Sequence, residues 1–407
     1  MREKIFSYID GSEDLAVELE SALSKIPALS PDSEGEGELD KCVWLELWLR
    51  KSGITDLQRF DAPDKRAKGG VRPNLIATIQ GSGSASEQLW IMSHLDVVPT
   101  GPLSLWDGDP WTVVKKDGKL IGRGVEDNQQ GLVSSIIATL SLINLGIKPR
   151  CTVKLLFVAD EENGSHYGIE WLLKNNAGIF KDGDLVLIPD SGDEKGATLE
   201  IAEKNQLWLK LHTTGKQAHG SRPDQGNNAF VAASALAVLL YEGLYKKFSK
   251  RDELFDPPYS TFEPTKKEAN VPNINSIPGD DVFYLDARIL PCYPVKTIFE
   301  EVQKLKKVIE TKYKVQIEAI CMQQMESKAT RKNSPLVLML SSAVKEVYGV
   351  QTRVIGIGGG TVAAYLRNEG IEAVAWSRME ETAHQPNEYV YIANILGNAK
   401  VMALLML

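Results

Sequence analysis

Histidine and cysteine are scarce in this chain, at five and four among 407 residues. The cysteines (Cys42, Cys151, Cys292, Cys321) are widely scattered and form no CxxC pair. That excludes a site built on CxxC. Each is expected to act as a small buried apolar residue in a reducing compartment. A basic surplus is also missing. Lys plus Arg total 46 against 54 Asp plus Glu, a formal charge of −8. Duplex-binding proteins carry the opposite balance, so nucleic acid is not an expected partner. No apolar run approaches the ~20 residues needed to cross a bilayer, so no membrane association is expected. The opening MREKIFSYIDGSEDLAVELE sets charges where a signal peptide needs apolar residues, which points to the cytoplasm. There are no internal repeats and no low-complexity tracts.

What remains is an ordinary globular composition. Apolar residues make up 43% and charged residues 25%, which sets aside disordered, collagenous and coiled-coil chains. The length suits two or three domains. Apolar spacing predicts helices over 13–26, ended by Pro27, and over 39–51, with Val43, Leu47 and Trp48 inward. Strands are expected at 74–80 and 89–98, a helix at 131–145, a strand at 151–159, a helix at 165–176 and a strand at 185–189. Strands spaced by helices predict a mainly parallel sheet covered on both faces.

Near residue 203 the pattern changes. Strands at 207–215, 280–290 and 314–322 alternate with long helices at 228–247 and 295–313, a β-α-β-β-α-β order that resembles a ferredoxin-like module. A helix at 334–348, a strand at 352–357 and a further helix then resume the first pattern. The expected fold class is therefore an α/β domain, 1–203 and 325–407, interrupted by an inserted α+β domain over 204–324.

Five segments end or begin an element with a group able to do chemistry. His94 and Asp96 form HLD at the end of an apolar strand. Carboxyl ends of parallel strands face the ligand crevice in such sheets, and a nearby carboxylate can fix an imidazole tautomer. Asp127 sits in GRGVEDNQQG (122–131) at a helix start, where Asp also serves as an ordinary N-cap. Glu161 and Glu162 follow a strand in ADEENG, where adjacent acids repel unless solvent or a cation screens them. Asp190 ends the strand of LIPDSG, and His384 lies in TAHQPNE. Two histidines and several carboxylates in one crevice fit zinc. The acid excess is more than one divalent ion requires and favours two.

The order and wording of SHLDVVP, WDGDPW, GKLIGRGVEDNQQG, VADEENGS, PDSG, GKQAHGSRP, GIGGGT and ETAHQPNEY resemble the M20 family of dinuclear zinc peptidases and deacylases along nearly the whole chain. The resemblance implies that His94 and Asp190 hold one Zn²⁺, that Glu162 and His384 hold the other, and that Asp127 bridges both, with a hydroxide between the ions. Asp96 would orient His94. Glu161 would be the general base, and Glu161→Gln would keep the metal and lose most turnover. His219, in AHGSRP, would donate to the oxyanion, from the partner subunit in dimeric relatives. The short insert implies a homodimer with the inserted domain as lid and interface. Asn275, Arg288 and the loop of Gly359, Gly360 and Thr361 would bind substrate, the loop and the Arg fork suiting a carboxylate. His166 and His212 match no family site and are expected to be structural. The sequence departs from the family pattern at Asn128 and Gln129, where many relatives have an apolar residue and Lys, and Gly131 comes one residue late.

By the same resemblance, Asp at position 190 and the wording GKQAHGSRPDQGNNA are similar to the dipeptidase branch. The expected reaction is hydrolysis of a short peptide, first of all a dipeptide. The alternatives are removal of an acyl group from an amino acid, as in succinyl-diaminopimelate or acetylornithine hydrolysis, and a non-catalytic amino-acid-binding relative. The ligand set also accepts Co²⁺ or Mn²⁺.

Overall fold

In the computed structural model, which describes residues 1–83 and 87–407, two compact units form. The first comprises Met1–Ile201, Thr330–Val354 and Tyr365–Leu407, and the second Ala202–Ala329 with Ile355–Ala364.

An eight-stranded sheet organises the first unit. Gln88–His94 lies between Thr152–Val158 and Leu185–Asp193 and runs parallel to both. Glu372–Arg378 continues the parallel set beyond Leu185–Asp193. Antiparallel strands Leu57–Pro63 and Val71–Ile79 extend one side, and Thr198–Glu203 and Arg353–Ile357 the other. Every residue of Gln88–His94 is buried, as a strand covered on both faces requires. The helix Gln130–Asn144 is buried from Gln130 through Leu142. It packs against Ile392–Met406, a second apolar helix, so its Ser134, Ser135, Thr139 and Ser141 hydroxyls bond to backbone carbonyls. The α/β class expected from the strand-helix alternation is what forms.

The second unit has a four-stranded antiparallel sheet in the order Thr261–Lys267, Asp280–Ile289, Asn205–Thr214, Gln316–Met325. This is the ferredoxin-like arrangement, with helices Ala229–Lys247 and Val295–Tyr313 as its two crossovers. Leu207, Leu209 and Leu211 alternate into its core, and Leu236, Leu240 and Leu244, four residues apart, meet them from the helix. The strand Thr261–Lys267 escaped sequence reading because its outer residues (EPTKK) are polar and exposed.

Four expectations are corrected. Val43 and Leu47 face solvent, while Lys41, Cys42, Leu45 and Leu49 face inward. The helix is rotated because Lys41 enters a buried cluster of acids, which apolar counting does not register. Cys292 and Cys321 are exposed, unlike Cys42 and Cys151. Segment 355–364 groups with the second unit, since Gly356 donates to Leu254 O and Lys204 donates to Ile357 O. Ala229–Lys247 is, by length and composition, apolar enough to cross a membrane. Its Leu236–Leu244 face is instead spent on the sheet beneath it.

Candidate metal centre

The carboxyl ends of three parallel strands bring His94, Glu161 with Glu162, and Asp190 together, the turn before the helix Gln130–Asn144 brings Asp127, and a loop brings His384. His94 closes its strand with its ring buried. Nδ1 lies 3.0 Å from the Asp96 carbonyl oxygen and 3.5 Å from its carboxylate. The nearer partner is thus the carbonyl of Asp96. Its carboxylate accepts instead from the backbone N–H groups of Glu161 (3.1 Å) and Glu162 (3.0 Å). One buried acid therefore fixes both neighbouring glutamates at the start of their turn.

Asp127 lies between the two imidazoles. Its Oδ1 is 3.0 Å from His94 Nε2 and its Oδ2 is 3.0 Å from His384 Nε2. His384 Nε2 also lies 3.1 Å from Glu162 Oε2, and His94 Nε2 is 3.8 Å from Asp190 Oδ1. Two sets of donor atoms each fall within 4.8 Å of one another: His94, Asp127 and Glu162, and His94, Glu161 and Asp190. His94 is 2% exposed and His384 55%.

The electrostatics suit cations. Burial raises the Glu161 and Asp190 carboxyls above their usual range and takes Glu162 to about 6, with His384 opposing that rise. Hydrogen bonds to Asp127 and Glu162 lift His384 to about 10. Asp127 is pushed up by burial but held below the carboxylate range by His384 and His94. Among the described residues, these crowded acids have imidazoles as their ion-pair partners. Two nitrogen and four oxygen groups converging at these distances form a donor set appropriate to one or two zinc-like ions.

Asn128, a departure from the family pattern, has a definite place in the site. Its amide donates to Asp190 Oδ1 (2.7 Å) and Pro189 O (2.9 Å), so it orients that carboxylate. No sequence signal separates such a residue from a loop asparagine.

The second unit holds the remaining candidates. His219 and Asn275 adjoin one another on a short ribbon, where His219 pairs with Ser276 and Gly220 donates to Asn275 O. Arg288 is engaged with Asp286 (2.7 Å) and donates to Gly358 O (3.2 Å), which ties it to the glycine loop. Thr361 donates to Glu203 at 2.6 Å, and Gly360 lies close against Met325. His166 pairs with Glu170 and His212 with Asp280, both at partly open positions.

An α/β scaffold with this clustered donor set is that of a metal-dependent hydrolase. The sequence profile of Peptidase family M20/M25/M40 matches residues 90–407, and the chain belongs to that family. It is 39% identical to an uncharacterized metallohydrolase of Methanocaldococcus jannaschii over 402 residues, covering 95% of this chain and 97% of the relative. A succinyl-diaminopimelate desuccinylase of Coxiella burnetii is 24% identical over 321 residues, 77% of this chain and 82% of that protein. Among solved structures, the di-peptidase Dug1p of Saccharomyces cerevisiae superposes with a TM-score of 0.75 at 18% identity, covering 100% of this chain and 98% of that one.

Proposed function

We propose that this metallohydrolase cleaves the amide bond of a short peptide, a dipeptide first, with two Zn²⁺ ions per subunit. The observation that carries the reading is the convergence of His94, Asp127, Glu161, Glu162, Asp190 and His384. His94 and Asp190 would hold one ion, Glu162 and His384 the other, and Asp127, with one oxygen toward each imidazole, would bridge them. Bound there, such ions polarise the scissile carbonyl and make hydroxide available near neutral pH.

Glu161 is the general base. It accepts the proton of the attacking water as the new C–O bond forms, then delivers it to the leaving nitrogen as the C–N bond breaks. Asp96 supports this by fixing the 161–162 backbone and the His94 ring. His219 is suited to stabilise the oxyanion. Ser221 N–H donates to its Nδ1 at 3.1 Å, so the neutral ring carries its proton on Nε2, as a donor. Asn275, Arg288 and Gly359–Thr361 would bind the ends of the substrate.

A homodimer through the inserted unit belongs to the same proposal. The strand Gln316–Met325 is paired on one side only, and Val231, Val238 and Tyr241 form an exposed apolar row on Ala229–Lys247. Sedimentation showing a fully active monomer would sink that part. The second reading, deacylation of an N-acyl amino acid, is favoured by the desuccinylase relatives. A panel of dipeptides against N-acyl amino acids, with added Zn²⁺, Co²⁺ or Mn²⁺, separates them. Cleavage of the acylated set alone would reject the dipeptide reading, and no amide turnover with any ion would reject both.

A further inference from the structure

Two buried glutamates adjoin the metal centre without facing it. Glu126 precedes Asp127, and Glu388 lies four residues after His384. Both are essentially inaccessible, at 1% and 0% exposure. Each reaches into the loop that carries the other's neighbour. The Glu388 carboxylate accepts from the backbone N–H groups of Gly124 (3.0 Å), Glu126 (2.8 Å) and Asp127 (3.0 Å), and from the Arg123 guanidinium (2.7 Å). The Glu126 carboxylate accepts from Glu380 N–H (2.5 Å) and Thr382 N–H, with the Thr382 hydroxyl 2.7 Å away. The two loops are thus bound to each other by two crossed carboxylates, not merely packed side by side.

Neither Asp127 nor His384 has helical backbone to hold it in place. Glu381, His384 and Asn387 all adopt left-handed backbone, at φ 58°, 64° and 57°. Non-glycine residues rarely stay there unless their surroundings fix them. Asp127 itself departs from helical backbone, at φ −113° and ψ 94°. A carboxylate accepting three or four charge-assisted bonds is a strong restraint. Once buried, it has no water to fall back on.

We propose that Glu126 and Glu388 are reciprocal positioning residues, a crossed clasp that delivers Asp127 and His384 as one preformed pair of metal ligands. The inference rests on the metal-centre reading above. Outer partners of metal ligands typically govern affinity by ~10–100-fold, and the clasp acts at that level through the backbone.

The test is a Zn²⁺ titration of the full chain, stripped of metal and competed against a chromophoric chelator. Glu388→Gln and Glu126→Gln each turn one acceptor oxygen into an NH₂ facing N–H donors, and each is expected to weaken Zn²⁺ binding ~10–100-fold. Thr382→Val removes, at similar volume, the hydroxyl that meets Glu126 and also Tyr389 O (2.9 Å) and Tyr389 N–H (3.1 Å). It is expected to weaken binding about fivefold, while Thr382→Ser, which keeps the hydroxyl, restores wild-type affinity. Folded Glu126→Gln and Glu388→Gln proteins that bind Zn²⁺ within about threefold of wild type would overturn the clasp. If those two do not fold, wild-type affinity in Thr382→Val overturns it. A wild-type chain that binds no Zn²⁺ would instead overturn the metal-centre reading, and the clasp with it.

Discussion

Arg367 offers the clearest stability experiment. It sits on the short helix Ala363–Asn368 with its side chain 1% exposed, opposite Glu200, also 1% exposed. The pair is bidentate, at 2.9 and 3.0 Å, and the guanidinium also donates to Glu200 O (3.1 Å) and Ala373 O (3.0 and 3.1 Å). It therefore ties a helix to two strands of the large sheet. Arg367→Met keeps much of the volume but takes donors from a buried carboxylate and from Glu200 O, while Ala373 O keeps the Thr330 hydroxyl at 2.6 Å. Breaking such a pair from one side costs about 3–5 kcal/mol. At ~2–4 °C per kcal/mol for a unit of this size, the melting temperature falls by roughly 6–20 °C. Arg367→Met combined with Glu200→Leu removes the stranded charge and recovers most of that loss, because a buried pair contributes little over an apolar replacement. Circular dichroism melts of wild type, single and double variants decide it. A single variant within about 2 °C of wild type, or a double variant no better than the single, would refute the reasoning.

Glu161→Gln should lower kcat by ~10²–10⁴ with Zn²⁺ content unchanged, checked by turnover and metal analysis together. Stripping metal with a chelator should lower the melting temperature, since ligand at about a hundredfold its Kd contributes ~2.7 kcal/mol; an unchanged melt would contradict a structural contribution from the ions. Gly131 lies against Pro189, where a Cβ would fall 2.6 Å from its Cγ and 2.8 Å from its oxygen. Gly131→Ala should cost about 1–3 kcal/mol and weaken Zn²⁺ binding by displacing Asp190; native stability and affinity would show that the contact relaxes freely. Glu20 is fully buried with neither oxygen hydrogen-bonded among the described residues, and burial, aided by the Glu388 charge, raises its carboxyl well above 4.5. Its folded state therefore binds the proton more tightly than the unfolded chain. The stability it contributes is fully present below pH 4.5 and is lost as pH rises through its folded pKa. Glu20→Gln should gain on wild type progressively above pH 4.5 in denaturant melts, and a pH-independent difference would count against this.

The alternation of apolar strands with 3.6-period helices carried most of the architecture, and the strand-end positions of His94, Glu161, Glu162 and Asp190 were legible for the same reason. Parallel strands point their carboxyl ends one way. What escaped depends on partners distant in sequence. Val43 and Leu47 look like an inward row until Lys41 is seen to occupy the interior. The strand Thr261–Lys267 has no apolar alternation beyond Phe262. Glu126 and Glu388 stood in plain view inside two motifs, but 262 residues separate them. Only the folded loops reveal that each carboxylate serves the other's segment. Asp96 was similarly half-visible: its closeness to His94 follows from spacing, whereas its grip on the 161–162 backbone does not.

Cys321 stands on the outermost strand of the small sheet with its thiol exposed. Two copies meeting along that border in air would readily become stapled through sulfur. A covalent dimer on a non-reducing gel would then record storage history rather than native assembly. Measurements of self-association belong in reductant, or in Cys321→Ser protein.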